Sequence, residues 1–426
     1  MSQSRNTASY VLITFLSPLL GLYLSIRRLS WKHRKWILVL FVTLYGSVMP
    51  FLEGTDASAH QENVYYHYVG LSFESFANEL WHIITLNPLP DTDDDVYIHV
   101  ISYLTGSLLY APWLFFTIVG FVFGYFYISA LSKILVWDRR KRLPLVAIAF
   151  IFLFIIYRGV DNLQTVRTWT GMWVLFDGIL GYFQTGKRKY LLLMLMAPLI
   201  HFAYFAIALP AYFIVLLKKN PKLILIIIYS ISFVANIASG GIIDQINKTE
   251  LGQKKVEGYY HEDPEYYEEK QAEVNANWYV TLGKVKSLWW GSNALAFSLI
   301  LGGFYTRRMT RIESSIFSVG LLTAAFANFG DFIPAFYSRT MVNAGLYILA
   351  AALLLSLRGE INKGKGIKSN IFRLAIWISI LVFIPKVVYT IANMLYFTSV
   401  FMIVFPAAGW LISEKISIRE LVSLFL

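Results

Sequence analysis

The chain of 426 residues has no cysteine, which excludes disulfides, thiolate catalysis and cysteine-ligated metal sites. Charged residues are also scarce, since Asp, Glu, Lys and Arg together make up 15% of the chain. No Walker motif is present, so the usual phosphate-binding loop for ATP is excluded. The first apolar stretch has neither a basic segment before it nor a small-residue cleavage site. We therefore expect residues 1–26 to be retained as a first apolar span.

Hydrophobic residues, by contrast, make up 57% of the chain, and its mean hydropathy is +0.56. Apolar runs recur along the whole length, which excludes a single anchor with a soluble head and favours a bilayer as the solvent. We predict an all-α, polytopic membrane protein with one domain, residues 1–426, and about 11–13 transmembrane or half-membrane helices. The predicted spans are 8–26, 36–52, 111–132, 143–157, 168–184, 223–242, 289–306, 312–329, 340–357, 371–391 and 395–412, and 190–217 is long enough for two short helices that meet near Pro198 and His201.

The few charged residues are divided unequally between the two ends of these predicted spans. Alternation of the spans places 26 of the 37 Lys and Arg residues on one side, with only 5 of the 26 Asp and Glu residues. The positive-inside rule puts that side and the C-terminus in the cytoplasm, and the N-terminus outside. The net charge of +11 is therefore a topology signal, and we expect no nucleic-acid partner.

Two segments on the acidic side are too long to be simple connectors. Residues 53–110 include FESFANELWHIITL and PDTDDDVYIHVISYLTGSLL, which predict amphipathic or re-entrant helices. Residues 243–288 are rich in tyrosine and acid, and aromatic rings beside carboxylates and amides are a usual surface for carbohydrate. The candidate sugar-binding residues are Tyr259, Tyr260 and Tyr266 of this loop, together with Tyr337. The alternative is a solvated acidic loop with interfacial tyrosines.

Four basic residues sit at or just inside the outer ends of predicted spans: Arg158, Arg167, Arg339 and Lys386. Burial of an arginine in hydrocarbon costs at least about 2.5–3.5 kcal/mol, so a residue kept there is usually paired or handles a charged ligand. The planar guanidinium matches carboxylate or phosphate oxygens in bidentate fashion. The three arginines together would form an anion site of pyrophosphate size. The structural alternatives are pairing of Arg158 and Arg167 with Asp161, pairing of Arg339 with Asp331, and snorkelling of Lys386.

A histidine and several carboxylates could supply acid–base chemistry beside these arginines. His201 lies at the apex of the hairpin-like stretch 190–217, where an imidazole could act as a general base near neutral pH; the alternative is a satisfied structural histidine. Asp177 lies in the middle of a predicted span and needs a polar partner. A divalent metal could bind in the first outer segment, but no tight ligand spacing is present there, and we predict a site without metal. The candidate metal ligands in that segment are His60, His67, His82 and His99, with Asp56, Asp91 and the DDD at 93–95.

Several of these residues fall within stretches that match a known family in the family's own order. The stretches are GTD ending at Asp56, DVYIHVISYL running into FFTIVGFVFGYFY, DNLQTVRTWTGMWVLF, KRKYLLLMLMAPLIHFAYFAIALP and YSRTMVNAGLYILAA, over roughly residues 45 to 350. The most specific part is Arg167 before one span and His201 at the end of the next short helix. The chain resembles the EpsG-like branch of the Wzy polysaccharide polymerases, bacterial inner-membrane proteins that lengthen O-antigen or capsular chains. The resemblance implies a GT-C-like helical fold.

The resemblance also implies a reaction. A polymer on undecaprenyl pyrophosphate is the donor, a lipid-linked repeat unit is the acceptor, and undecaprenyl pyrophosphate leaves. The pyrophosphate would be bound by Arg167, Arg339, Arg158 and Lys386, and the acceptor proton would be taken by His201 or, failing that, by Asp161 or Asp56. No cofactor is implied, and the expected partners are membrane lipids, the lipid-linked oligosaccharide and a chain-length regulator protein.

Three rival functions remain open from the sequence. A flippase for the same lipid should show two related halves and charges through the depth of the membrane, but no internal repeat is visible and the charges gather on one face. A different transferase is the second rival, either an O-antigen ligase or an enzyme that uses a polyprenyl monophosphate donor; the latter would want carboxylates in the first outer segment, which Asp91 to Asp95 provide. A non-catalytic scaffold is disfavoured by the cost of keeping the outer arginines.

Overall fold

The computed structural model describes residues 2–51, 55–87, 89, 92–93, 95–135, 143–217, 220–234, 278–363, 366–412 and 415–425. These residues are nearly all helical, and the only extended pairing among them is an isolated antiparallel bridge between Ser399 and Ser417. The predicted all-α class is confirmed for this part of the chain. Five helical stretches are long and apolar enough to cross a membrane: Pro112–Leu135, Leu145–Thr165, Arg311–Phe329, Pro334–Leu357 and Ile367–Phe397.

The α-helices of the described residues are numbered in chain order. In order they are α1 Ser2–Leu16, α2 Pro18–Arg28, α3 Trp31–Ser47, α4 Asp56–Asn63, α5 Phe73–Ile84, α6 Val96–Tyr103, α7 Phe115–Leu135, α8 Leu145–Tyr157, α9 Thr168–Thr185, α10 Lys189–Ile200, α11 Tyr204–Ile207, α12 Leu209–Leu216, α13 Lys222–Ile231, α14 Trp278–Thr281, α15 Ser287–Leu301, α16 Arg311–Phe329, α17 Pro334–Leu357, α18 Ile367–Leu381, α19 Ile384–Phe397, α20 Pro406–Trp410 and α21 Ile418–Ser423. Short 3₁₀ turns lie at Pro112–Leu114, Val160–Thr165, Glu360–Asn362 and Val400–Met402, and π turns at Val64–Tyr68, Leu104–Leu108, Leu282–Lys286 and Phe304–Arg308.

The first predicted span, 8–26, is wrong as a single helix. Pro18 has no N–H to donate and disfavours helical backbone in the residue before it, so Ser17 is extended (φ −149°, ψ 93°). The helices on either side fold back on each other, so closely that a Cβ on Gly21 would lie 2.6 Å from Cα of Thr14. The chain therefore reverses inside the stretch that hydropathy alone assigns to one crossing.

The last predicted spans, 371–391 and 395–412, also differ from the observed helices. The chain forms α18 and α19, and α19 ends at Phe397; residues beyond it form only a 3₁₀ turn and the short α20. Pro385 and Pro406 each lie in the first turn of a helix, where the missing N–H has no intrahelical partner to lose. Each proline thus starts a new helix inside a run that is continuous in hydropathy.

Helix α17 is the centre of the bundle. Every residue from Thr340 to Leu357 is buried, and the helix packs against α8, α15 and α16. Just beyond its C-terminal end, the Arg358 guanidinium donates to both carboxylate oxygens of Glu313, at 2.6 and 2.8 Å, and Glu313 in turn closes a capping box at the start of α16. This bidentate pair fixes the two helices at one end, and α17 carries Arg339 toward the other end.

The predicted helical hairpin over 190–217 is present. Helix α10 ends at Ile200, and α11 and α12 run back alongside it, since the Tyr212 hydroxyl donates to the backbone oxygen of Met194 at 3.0 Å. His201 lies at the turn between the two arms. The hairpin packs against α9, with α10 and α9 in extensive contact.

Candidate functional site

Four separate segments bring Asp95, Arg167, His201 and Arg339 together, and we refer to these four residues as the Asp95 cluster. The first two lie at the starts of α6 and α9, the third at the end of α10, and the fourth in the second turn of α17. Nη1 of Arg167 lies 2.6 Å and Nδ1 of His201 lies 3.1 Å from Oδ2 of Asp95. Nη1 of Arg339 lies 3.4 Å from Nε2 of His201. A guanidinium therefore stands on each side of a buried carboxylate–imidazole pair.

Asp95 is the hub of this cluster. It occupies the position before α6 where a carboxylate usually caps the helix, yet it makes no side-chain cap bond. Its Oδ1 accepts instead from the backbone N–H of Phe202, at 2.6 Å. Burial by itself raises the pKa of the Asp95 carboxyl, but the His201 N–H, the Arg167 guanidinium and the Phe202 amide outweigh burial and hold that pKa below its usual range. Asp95 is therefore an anion at neutral pH.

This carboxylate sets the tautomer of His201. A carboxylate can only accept, so the Nδ1 of a neutral imidazole must carry the proton that it donates to Asp95. The other nitrogen, Nε2, is then the basic one, and it faces Arg339. The backbone of His201 is extended (φ −152°, ψ 122°) where α10 ends. That departure from helical geometry aims the ring across the bundle instead of along the hairpin.

Arg167 is held by a strained backbone turn. Val166, directly before it, has φ +40° and ψ −67°, and a positive φ is a genuine outlier for a β-branched residue. Such residues cost on the order of 1–3 kcal/mol each and persist only where their surroundings fix them. Val166 is itself buried. The Arg167 side chain keeps 22% of its surface exposed, whereas that of Asp95 keeps 1%, so the guanidinium reaches the open edge of the cluster.

Tyr204 fixes the apex of the hairpin against α9. Its hydroxyl donates to the backbone oxygen of Thr168 at 2.8 Å, and Asn343 of α17 donates to the same hydroxyl at 3.4 Å. The ring fits because position 171 is glycine, since a Cβ there would lie 2.7 Å from Cε2 of Tyr204. His201 is thus placed by a buried contact three residues after it.

Gly171→Ala is expected to lower stability by about 1–3 kcal/mol, because the added methyl overpacks a buried contact, and to impair function by shifting the hairpin apex. Thermal unfolding of the purified protein, followed by size exclusion, measures the first effect. Tyr204→Ala provides the matched partner, because it removes the ring that the methyl meets. The double variant should be less destabilised than the sum of the single variants; strict additivity would contradict this packing.

His60 borders the Asp95 cluster, and Asp56 lies near His60. Burial, together with the nearby positive charge of Arg167, lowers the pKa of His60 to about 4, so this imidazole is neutral at neutral pH. Its Nδ1 lies 3.9 Å from Oδ1 of Asp93. Asp56, at the start of α4, is exposed. The predicted candidate base Asp56 is thus near the cluster but outside its chain of direct contacts.

Arg158, Asp161 and Lys386 form a second, enclosed cluster. Their exposed fractions are 4%, 0% and 1%, and Asp161 is within electrostatic reach of both cations. The Arg158 guanidinium donates to Oδ1 of Asn162 and to the backbone oxygen of Lys284, at 3.1 and 3.2 Å. Within the described ranges, Nζ of Lys386 forms no hydrogen bond. The structure therefore separates the four predicted pyrophosphate-binding residues into two pairs, of which only Arg167 and Arg339 contact His201 or its partner.

The two clusters are neighbours across the start of α9. The Arg158 guanidinium carbon lies 4.0 Å from the ring centre of Trp169, two residues after Arg167. The backbone oxygen of Arg158 accepts from Nε1 of Trp173 at 3.0 Å. This arrangement lets the second cluster hold the turn that presents Arg167, a supporting role that needs no contact with a ligand.

The other predicted residues are distributed as follows. Tyr259, Tyr260 and Tyr266 lie outside the described residues. Tyr337 lies in the first turn of α17, with its ring centre 6.3 Å from that of Trp289. Asp177 is paired with Lys133, whose Nζ lies 2.7 Å from its Oδ1. In the part of the chain that the structure describes, no group of three or more His, Asp or Glu residues is arranged to hold a metal ion.

Asp95 is the residue that sequence reasoning did not select. It stood in the acidic run at 93–95 that was considered for metal binding, and it opened the stretch DVYIHVISYL that carried part of the family resemblance. The signal was its position directly before an apolar helix. What the sequence could not show is that its oxygens turn away from that helix toward Arg167, His201 and Phe202.

Known proteins add no further assignment. No family model, no curated protein and no solved structure matches the chain. The likeness to polysaccharide polymerases therefore depends on the stretches quoted above and on the chemistry of the Asp95 cluster.

Proposed function

We propose that this chain is a membrane glycosyltransferase of the polysaccharide-polymerase type, which joins oligosaccharide repeat units carried on undecaprenyl pyrophosphate. The observation that carries the proposal is the Asp95 cluster, in which a carboxylate-oriented histidine lies between two arginines. Glycosyl transfer from a lipid pyrophosphate needs these two functions. One is a base for the acceptor hydroxyl, and the other is positive charge where the leaving group develops negative charge.

In the proposed reaction, a hydroxyl of the acceptor sugar attacks the anomeric carbon of the donor. The new C–O bond forms as the bond from that carbon to the pyrophosphate oxygen breaks, and the bonding electron pair leaves with undecaprenyl pyrophosphate. The hydroxyl proton goes to Nε2 of His201. Arg339, which faces that nitrogen in the free protein, turns with Arg167 to the pyrophosphate oxygens, where each fork can bind two oxygens. Asp95 stabilises the imidazolium that results.

The proposed setting is the outer face of a bacterial inner membrane, with the basic connections in the cytoplasm. The start of α9 and the end of α10, which carry Arg167 and His201, lie opposite the end of α9 and the start of α10, where Lys187 and Lys189 lie. Positive-inside bias then places the Asp95 cluster on the periplasmic side. The fold is of the GT-C type, the helices beyond the five long ones are transmembrane or half-membrane elements, and a chain-length regulator is the protein partner. No metal or cofactor enters the reaction.

A surface-polysaccharide gel tests this function. In the source strain, deletion of the gene is expected to leave single capped repeat units, and the wild-type gene is expected to restore the ladder of longer chains. Arg167→Ala is expected to fail to restore the ladder at normal protein level, because the pyrophosphate loses a charge-assisted partner. Gln164→Ala, at a half-buried position of the same turn, is the matched control and should restore it.

The rival functions predict different experimental results. A full ladder with Arg167→Ala would rule out the mechanism. Complete absence of repeat units from the surface of the deletion strain would favour a flippase or an earlier transferase. Loss of activity on addition of a chelator would favour a transferase with a monophosphate donor and a metal.

A further inference from the structure

A cavity of about 560 Å³ lies beside the first turn of α17, at the end of the bundle where α13 and α16 end. Its walls include three aromatic side chains, Phe233, Trp289 and Tyr337, and three polar ones, Ser232, Asn328 and Asp331. The Asp95 cluster does not include any of these residues. Because Tyr337 precedes Arg339 by two positions on the same helix, the cavity and the cluster share one structural support.

The chemistry of the walls fits a sugar ring. The rings of Trp289 and Tyr337 meet edge to face, which leaves aromatic surface for the apolar C–H face of a pyranose. Among the described residues Nε1 of Trp289 is buried without a hydrogen-bond partner, so it is a donor that a hydroxyl could satisfy. Asn328 is held in place by its donation to Oγ of Ser232, at 2.8 Å. Asp331 is exposed at the mouth and can accept from two adjacent hydroxyls.

A separate apolar groove lies along α13 and α16, the two helices that end at this cavity. It has a volume of about 500 Å³ and is lined by residues that include Phe213 of α12, Ile228 of α13, and Leu322 and Phe329 of α16. Ile228 lies one turn before Ser232, and Phe329 follows Asn328 directly. Polar walls at the end of the bundle and apolar walls along its length match an amphiphile whose sugar lies at the surface and whose isoprenoid chain lies in the membrane.

We propose that this cavity is a sugar subsite for a lipid-linked glycan, and that it takes a neutral or amino sugar and rejects a uronate. The charge selectivity follows from Asp331, because a like-charged carboxylate at the mouth repels a uronate, whereas an ammonium or hydroxyl pair is attracted. This proposal rests on the proposed function, since it names part of the substrate of that site. The sugar subsite and the proposed polymerase function can nevertheless be disproved independently of each other.

Binding of free glycan to the full-length protein in lipid nanodiscs tests the subsite. The probe is the set of repeat-unit oligosaccharides released from the surface polysaccharide of the source strain, observed by saturation-transfer NMR. Trp289→Ala is expected to weaken binding by about tenfold or more through loss of the stacking surface. Trp290→Ala is the matched control, because Trp290 is the next residue and 45% exposed, and its binding should stay within about twofold of wild type.

Asp331→Asn supplies a second variant at an exposed position, where folding is not at risk. It is expected to retain neutral-sugar binding within a few fold and to admit glucuronate-bearing oligosaccharides that the wild type excludes. Wild-type binding that Trp289→Ala leaves unchanged, or exclusion of glucuronate that Asp331→Asn leaves unchanged, overturns the subsite. If the subsite binds glycan as expected while Arg167→Ala still yields a full ladder, the polymerase mechanism fails and the subsite stands.

Discussion

His201→Gln is expected to slow polymer extension by about 10²–10⁴-fold, which is the usual contribution of a general base. In the native protein Nδ1 of His201 lies 3.1 Å from Oδ2 of Asp95. Glutamine has an amide N–H that can reach Asp95 and replace this hydrogen bond. It has no basic nitrogen to take the acceptor proton. The loss should therefore appear in the chemical step, with little effect on the amount of folded protein. The measurement is the initial rate of chain growth by the purified protein with lipid-linked repeat units.

His82→Gln is the control for this change. His82 lies on α5, where its Nδ1 is 3.2 Å from the backbone oxygen of Asn87, and it has no contact with the Asp95 cluster among the described residues. A normal rate with His82→Gln and a lost rate with His201→Gln would support the assignment of the base. A rate within a few fold of wild type for His201→Gln would transfer that role to another group, and Asp56→Asn and Asp161→Asn would then decide between the two remaining candidates.

The helical class of this protein follows from composition, but helix ends do not follow from hydropathy. Apolar runs identified α7, α8, α9 and α16 to within a few residues, and the end of α17, because a long helix must bury or immerse a continuous apolar surface. The first span failed at Ser17–Pro18 and the last at Pro406. At both places the local backbone rules for proline and the packing of neighbouring helices overrode a continuous apolar signal. A sliding average of hydropathy does not contain either effect.

The candidate site was predictable in part for a similar reason. Arg167, Arg339 and His201 drew attention because polar groups beside apolar spans are costly, and the structure brings these three residues together. Arg158 and Lys386 carried the same sequence signal, yet they are enclosed with Asp161. Cost alone cannot distinguish an arginine at the open edge of a cluster from one that is buried against a tryptophan ring and two oxygen acceptors. That distinction depends on side-chain direction, which emerges only when α8, α9 and α19 pack together.

Asp95→Asn is expected to reduce kcat for chain extension by about 10⁴-fold, which is the effect of the same change in Ser-His-Asp triads, although Asp95 touches no reacting atom. In the native protein Oδ2 accepts from both Arg167 and His201, and Oδ1 accepts from the Phe202 amide. Asparagine has only one acceptor oxygen. If that oxygen faces Phe202, the amide nitrogen meets the Arg167 guanidinium and forces His201 to carry its proton on Nε2. If it faces Arg167, the amide nitrogen opposes the Phe202 N–H.

Either orientation leaves one buried donor without an acceptor, and the first also blocks the basic nitrogen that the reaction needs. A positioning role for Asp95 thus predicts a specific kinetic pattern, in which kcat falls while the KM for the lipid-linked repeat unit changes little. Glu79→Gln is the matched control, because Glu79 is also a buried carboxylate beside a histidine, with its Oε2 3.1 Å from Nε2 of His67. A purely structural role would lower the thermal midpoint of both variants alike and leave the kcat of the folded fraction intact. That result would remove Asp95 from the mechanism and leave His201 without its orienting partner.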